Sequence, residues 1–121
     1  MQYMALIYGD QNRFASFSDE EREAAYALYR AFGQEAEAAG VLVAGNELAP
    51  TTNATTVRIR ADETLVTDGP YAEVKEALGG YYILECASIE EAIDWAARIP
   101  GAEHGAVEVR PVYVDPEEDQ L

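Results

Sequence analysis

The stretch Met1-Gln2-Tyr3-Met4-Ala5-Leu6-Ile7-Tyr8 is apolar on both of its alternating sets. In an extended chain Tyr3, Ala5 and Ile7 share one face, and Met4, Leu6 and Tyr8 share the other. Successive strand side chains point to opposite sides, so the pattern predicts a central strand buried twice over. Tyr81 to Ala87 repeats it, with Glu85 as its one charged residue. Two such strands demand cover on both faces of a sheet.

Working outward, Gly9-Asp10-Gln11-Asn12 ends the first strand. Ser18 and Glu21 then form a capping box that opens a helix. Ala25, Leu28, Tyr29, Phe32, Ala36 and Ala39 recur at helical spacing, and Gly40 closes the helix. Gly33 weakens its middle by about 1 kcal/mol relative to alanine and admits a bend. Val41 to Leu48 reads as a second strand, and Pro50-Thr51-Thr52-Asn53 as a turn. Thr55 to Arg60 alternates, Ala61-Asp62-Glu63 turns, and Thr64 to Thr67 returns as a hairpin partner.

After the strand at Tyr81, Ser88 and Glu91 make a second capping box. Ile89, Ala92, Ile93, Ala96 and Ala97 form a narrow apolar stripe that Pro100-Gly101 stops. Val107 to Val114 is the last strand, and Asp115 to Leu121 an acidic tail expected to be mobile. The order is two βαβ units in tandem with a hairpin inserted between them. That is the signature of an α+β, ferredoxin-like sandwich, with both helices on one face of an antiparallel sheet. One domain over residues 1–114 and a tail over 115–121 account for the chain.

Two helices cover one face only, whereas the central strands are apolar on both. A large uncovered apolar face usually marks an interaction surface. A homodimer closing sheet on sheet into a barrel-like body is the expected solution. The alternative is a monomer whose hairpin and tail cover the second face.

The charge of -15, from 23 acids against 8 bases, sets the face of the molecule against a phosphate backbone, and no basic stripe is present. Nucleic acid is therefore not expected as a partner. Nor is a membrane, since no apolar run approaches the roughly 20 residues of a span. The N-terminus lacks the basic start and small-residue cleavage site of a signal peptide. Cys86 is the only cysteine and has no internal partner, which fits a reducing compartment, so a cytoplasmic location is expected.

Chemistry concentrates in Thr67-Asp68-Gly69-Pro70-Tyr71-Ala72-Glu73-Val74-Lys75-Glu76-Ala77-Leu78-Gly79-Gly80-Tyr81-Tyr82. Asp68 either accepts backbone N–H groups of its own turn or offers a carboxylate at a pocket mouth as base or ligand acceptor. Glu73, Lys75 and Glu76 either pair locally or meet a ligand. Gly79-Gly80 admits the chain to the next strand or allows a close approach. Arg58, Arg60 and Arg110 share an alternating set with Tyr81, Glu85 and Glu108. These either pair across strands or bind a small carboxylate, which arginine grips in bidentate fashion. His104 is the lone histidine and reads first as a surface loop residue. With one histidine and one cysteine there is no zinc pattern, and neither calcium-loop nor phosphate-loop spacing occurs. No metal or cofactor is expected.

The motif Asp68-Gly69-Pro70-Tyr71 and its continuation through Tyr82 resemble the YCII-related family, in the branch named for its Asp-Gly-Pro-Phe motif. Glu91-Ala92-Ile93-Asp94-Trp95-Ala96-Ala97-Arg98, Val107-Glu108-Val109-Arg110-Pro111-Val112 and Tyr3 to Tyr8 are similar as well. The resemblance spans residues 2 to about 113. It implies a dimeric α+β barrel and, for most of the branch, no assigned reaction. It also implies extracytoplasmic-function sigma factors as genomic neighbours or fusion partners. More distant relatives pair an aspartate with a histidine on the first helix, but this chain has no histidine between Ser18 and Gly40. Tyr71 stands where the motif has phenylalanine. Three functions follow as expectations. The first is a small-molecule-binding homodimer with a pocket near the motif, with or without a reaction of its own. The second is an acid–base enzyme using Asp68 on a small lactone-like or carboxylate substrate. The third is a protein that modulates a sigma factor by contact. Tyr71, Glu73, Lys75, Glu76, Tyr81, Glu85, Arg58, Arg110 and His104 are the pocket candidates.

Overall fold

The computed structural model describes residues 1–116, and the expected tail lies, from residue 117 on, outside the described residues. The elements are β1 (Gln2–Asp10), α1 (Gln11–Ala15), α2 (Asp19–Ala38), β2 (Leu42–Glu47), β3 (Thr55–Arg60), β4 (Glu63–Asp68), β5 (Glu76–Glu85), α3 (Ile89–Ala96) and β6 (Ala106–Pro111). Four strands form an antiparallel sheet in the order β2-β5-β1-β6, and β3-β4 form a sheet of their own. The α+β, ferredoxin-like order of elements is as the sequence predicts.

β1 is central because both of its faces are apolar. Tyr3 and Ala5 pack into the core under the helices with Leu84, Phe32, Ala36, Val41, Cys86, Ala92, Ala96 and Ile99. Tyr3 lies opposite Leu84, and Ala5 opposite Val109, so all three strands contribute to one buried layer. The other face carries Met4 beside Ile83 and Arg110, Leu6 beside Tyr81 and Glu108, and Tyr8 beside Leu78 and Ala106. Met4, Leu6, Tyr8, Leu78, Tyr81 and Ile83 are only half-buried there.

The first capping box forms as expected, whereas the second forms by half, the Ser88 hydroxyl accepting from the Glu91 N–H while the Glu91 carboxylate accepts from the Ala87 N–H in place of that of Ser88. The Ser18 hydroxyl accepts from the Glu21 backbone N–H while the Glu21 carboxylate accepts from the Ser18 N–H. Ser18 and Ser88 thereby open α2 and α3. Gly40, at φ 72°, turns the chain after α2. Several local expectations are corrected. α2 runs unbroken through Gly33. Leu28, expected inside, is 61% exposed, and Ile93 points outward as well. The turn after β1 contains α1, whose N-cap is Asp10, with its carboxylate accepting from the Asn12 N–H. β6 ends at Pro111 rather than Val114.

The largest correction concerns β5, which starts at Glu76 and not at Tyr81. Gly79-Gly80 therefore lies within the strand. Gly79 is the extra residue of a bulge opposite Ile7 and Tyr8. Gly80 has the Asn46 carbonyl oxygen 2.9 Å from where a Cβ would sit, so it is there for close approach.

Two glycine substitutions should therefore move stability in opposite directions in urea titrations. Gly80→Ala should lower it by about 1–3 kcal/mol through the clash with Asn46. Gly33→Ala, in open space on a helix, should raise it by about 0.5–1 kcal/mol.

Candidate functional site

The site is assembled where β1, the hairpin and β5 meet. The Gln11 side chain, just past β1, grips Thr51 twice. Its amide donates to Thr51 Oγ1 (3.3 Å), and its carbonyl oxygen accepts from the Thr51 N–H (2.8 Å). Thr51–Asn53 forms a 3-10 turn that leads into β3. The hairpin then brings its two ends together. Gly69 N–H donates to Ala54 O (2.7 Å), and the Thr56 hydroxyl donates to Gly69 O (2.8 Å). Gly69 adopts φ 106°, a conformation side-chain-bearing residues rarely take.

The result is a shallow cleft of about 260 Å³. Thr51 and Thr52 face Gly69, Pro70, Ala72, Glu73 and Val74 across it, and the buried Ala77 of β5 also lines it. The lining thus holds one carboxylate, two hydroxyls and a set of small apolar groups, with no cationic side chain.

Among the expected pocket residues, Glu73 lines this cleft, while Asp68 and Tyr71 are sequence neighbours of lining residues. Among the described residues nothing hydrogen-bonds or ion-pairs with the Asp68 carboxylate, which is exposed. The turn-holding role weighed for Asp68 thus falls to the Gly69 backbone and Thr56. Glu73, Lys75 and Glu76 are exposed and form no ion pair among the described residues, so no such pair locks the loop there. Glu76 instead stands across from Asp10, acid opposite acid, at the sheet's end. Tyr71 carries the Arg58 guanidinium over its ring at 5.2 Å.

The remaining candidates are dispersed. Tyr81 accepts a hydrogen bond from Asn46 Nδ2 (3.0 Å) on the open sheet face. Glu85 pairs with the N-terminal ammonium at 2.7 Å. Arg110 stands 3.8 Å from Glu108 on the same strand, and both are well exposed, an arrangement that adds little stability. Arg58 and Arg60 sit on the hairpin and do not share the sheet of Tyr81, Glu85, Glu108 and Arg110. The expected arginine-lined carboxylate face is therefore not assembled. His104 is exposed and caps the 3-10 turn Pro100–Glu103.

Thr51, Thr52 and Gln11 were not among the expected site residues. The hairpin carried the signal, because paired strands 55–60 and 63–68 necessarily bring residue 54 beside residue 69.

Beneath the sheet the titratable groups are structural. Burial pushes the Cys86 thiol up, with Glu91 and Glu85 adding to it. Burial also raises the Tyr82 and Tyr29 phenols. For Tyr26, burial comes first, and the bond its hydroxyl donates to Glu47 (3.1 Å) raises it further. Among the described residues no group of three or more histidine, cysteine or acidic side chains is arranged to hold a metal. No described helix is long and apolar enough to cross a membrane.

The fold defines an α+β domain of ferredoxin-like topology, elaborated by a hairpin that shapes a cleft at one end of the sheet. The chain belongs to the YCII-related domain family, whose model matches residues 1–114. It is similar to Uncharacterized protein R00369 of Rhizobium meliloti (strain 1021), at 41% identity over 114 residues, 93% of this chain and 92% of that protein.

Two measurements test these assignments. Asp68→Asn should leave unfolding stability within about 0.5 kcal/mol of the parent. Thr56→Val, which deletes the bond to Gly69 O, should cost about 1 kcal/mol. Cys86 should resist a disulfide reagent at about pH 8 in the native protein and release one equivalent only on unfolding.

Proposed function

We propose that this YCII-related domain is a small-molecule-binding homodimer whose ligand enters the cleft between Thr51-Thr52 and the Gly69–Val74 loop. One observation carries the reading. The fold spends a bulged strand, a Gln11 anchor and a left-handed glycine on shaping this loop, yet leaves Asp68, Glu73, Lys75 and Glu76 without partners among the described residues. Of these, Glu73 lines the cleft, and a polar group that folding does not use, set in a concave surface, is an ordinary mark of a ligand site.

The lining chemistry indicates the ligand's character. Glu73 accepts hydrogen bonds, the threonine hydroxyls accept and donate, and Pro70, Val74 and Ala77 offer an apolar wall. That set complements a small molecule with an amine or hydroxyl donor on a short apolar body. A free carboxylate would face Glu73 with no cation in the lining to meet it. The homodimer reading rests on the half-buried apolar face of β1 and β5, which no helix covers.

Butylamine, γ-butyrolactone and butyrate share four carbons and differ in charge, so they form a discriminating set of probes. In thermal unfolding with each at millimolar concentration, butylamine should raise the midpoint most and butyrate least. Ala72→Trp, which fills the cleft from an exposed position, should abolish the shift. No shift with any probe, or the same shift in Ala72→Trp, would contradict the assignment.

A further inference from the structure

The cleft wall that carries Glu73 is fixed at both ends. At Gly69 it is held by Ala54 and Thr56, and at Glu76 by the pairing of β5 with Asp10. Pro70, Ala72, Glu73 and Val74, all of them lining residues, lie between those two points. Among the described residues no hydrogen bond or ion pair ties residues 70–74 to the rest of the chain. The directed contact that this stretch does make is aromatic. The Tyr71 ring carries the Arg58 guanidinium 5.2 Å from its centroid. Arg58 lies two residues past Thr56 on β3, so the two side chains share one face of the ribbon. Both are half-buried, whereas Thr55, Val57 and Ile59, on the other face, are exposed. The inner face of the hairpin thus meets the loop twice, Thr56 at Gly69 and Arg58 at Tyr71.

We infer that Arg58 is a positioning residue for the cleft, its guanidinium stacking on Tyr71 to hold the wall of residues 70–74 in place. The inference rests on the cleft reading above and adds to it the residue that sets the cleft's shape. Arg58 does not line the cleft, so its influence on a ligand passes through Tyr71. A guanidinium suits the task because it is planar, weakly hydrated and lies flat on a ring. The position uses the ring face alone. Tyr71 is 79% exposed, and its hydroxyl has no hydrogen bond among the described residues. A cation over an exposed ring shifts a local equilibrium about two- to fivefold. Such a factor is small against global unfolding but large for a loop, whose opening lies at the low end of the stability range. A wall formed for only part of the time weakens apparent affinity by the fraction formed. The stack therefore bears on binding while leaving the fold intact.

The sequence supplies its own probe of this loop. Lys75 is the chain's one lysine, and it is exposed at the end of the wall. A lysine-specific endopeptidase therefore cuts the native protein at a single bond, at a rate that tracks the open population of the loop. Arg58→Gln and Tyr71→Leu should be cut at least about twofold faster than the parent, and Tyr71→Phe at the parent's rate. In thermal unfolding with butylamine, the midpoint shift should shrink in Arg58→Gln and persist in Tyr71→Phe. Loss of a cation would by itself favour an amine, so a smaller shift cannot come from charge. Equal cleavage of Arg58→Gln and the parent, or faster cleavage with an undiminished shift, would overturn the inference. No butylamine shift in the parent would count against the ligand reading alone, because the cleavage rates need no ligand. Should the variants fail to fold, the proton NMR spectrum of the parent answers. The Tyr71 ring should move the Arg58 δ-methylene upfield of that of Arg60, exposed on the same strand, and coincident resonances would overturn the inference.

Discussion

The double burial demanded by β1 is the constraint on which the other features hang. Tyr3 and Ala5 are taken up by the helices, with Ala5 and Leu84 fully inaccessible. Met4, Leu6 and Tyr8 face the other way and find Ile83, Tyr81 and Leu78 beside them but, among the described residues, no layer that buries them. Helices cannot supply that layer, because both crossovers of a ferredoxin-like sandwich lie on the same side. A surface of this kind stays soluble in a monomer only with difficulty, and the chain's heavy negative charge does nothing to cover it.

The same strand register builds the cleft. β5 must pair with β1 as far as Asp10, so its first residues, Glu76 to Leu78, are drawn into the sheet. The loop before them is thereby pinned at one end by Ala77 and at the other by the hairpin closure at Gly69. Gln11, immediately past β1, fixes the facing wall through Thr51. Fold and site are thus consequences of one sheet, and the charged loop residues are those the sheet leaves over.

Much of the architecture was legible in the sequence because its signals are local. The alternation of Tyr3 to Tyr8, the Ser18–Glu21 and Ser88–Glu91 boxes and the alternating hairpin strand each declare themselves within a few residues. The failures come from tertiary context. Glu76 and Gly79-Gly80 look like loop, yet pairing with Asp10, Gly9 and Ile7 makes them strand. Five residues are too few to show the periodicity of α1. Leu28 and Ile93 follow the helical apolar spacing but point outward. Of the Asp68-Gly69-Pro70 motif, Gly69 and Pro70 form part of one wall of the cleft. Thr51 and Thr52 join it from about 20 positions upstream, a proximity that only the hairpin's closure implies. The arginines misled because alternation predicts a face but not which sheet owns it.

The mass of the parent protein in solution bears most directly on whether a second copy completes this sheet. At micromolar concentration and moderate salt, sedimentation velocity should find a particle of twice 13.2 kDa. A single species of 13.2 kDa under the same conditions would contradict the account at its root.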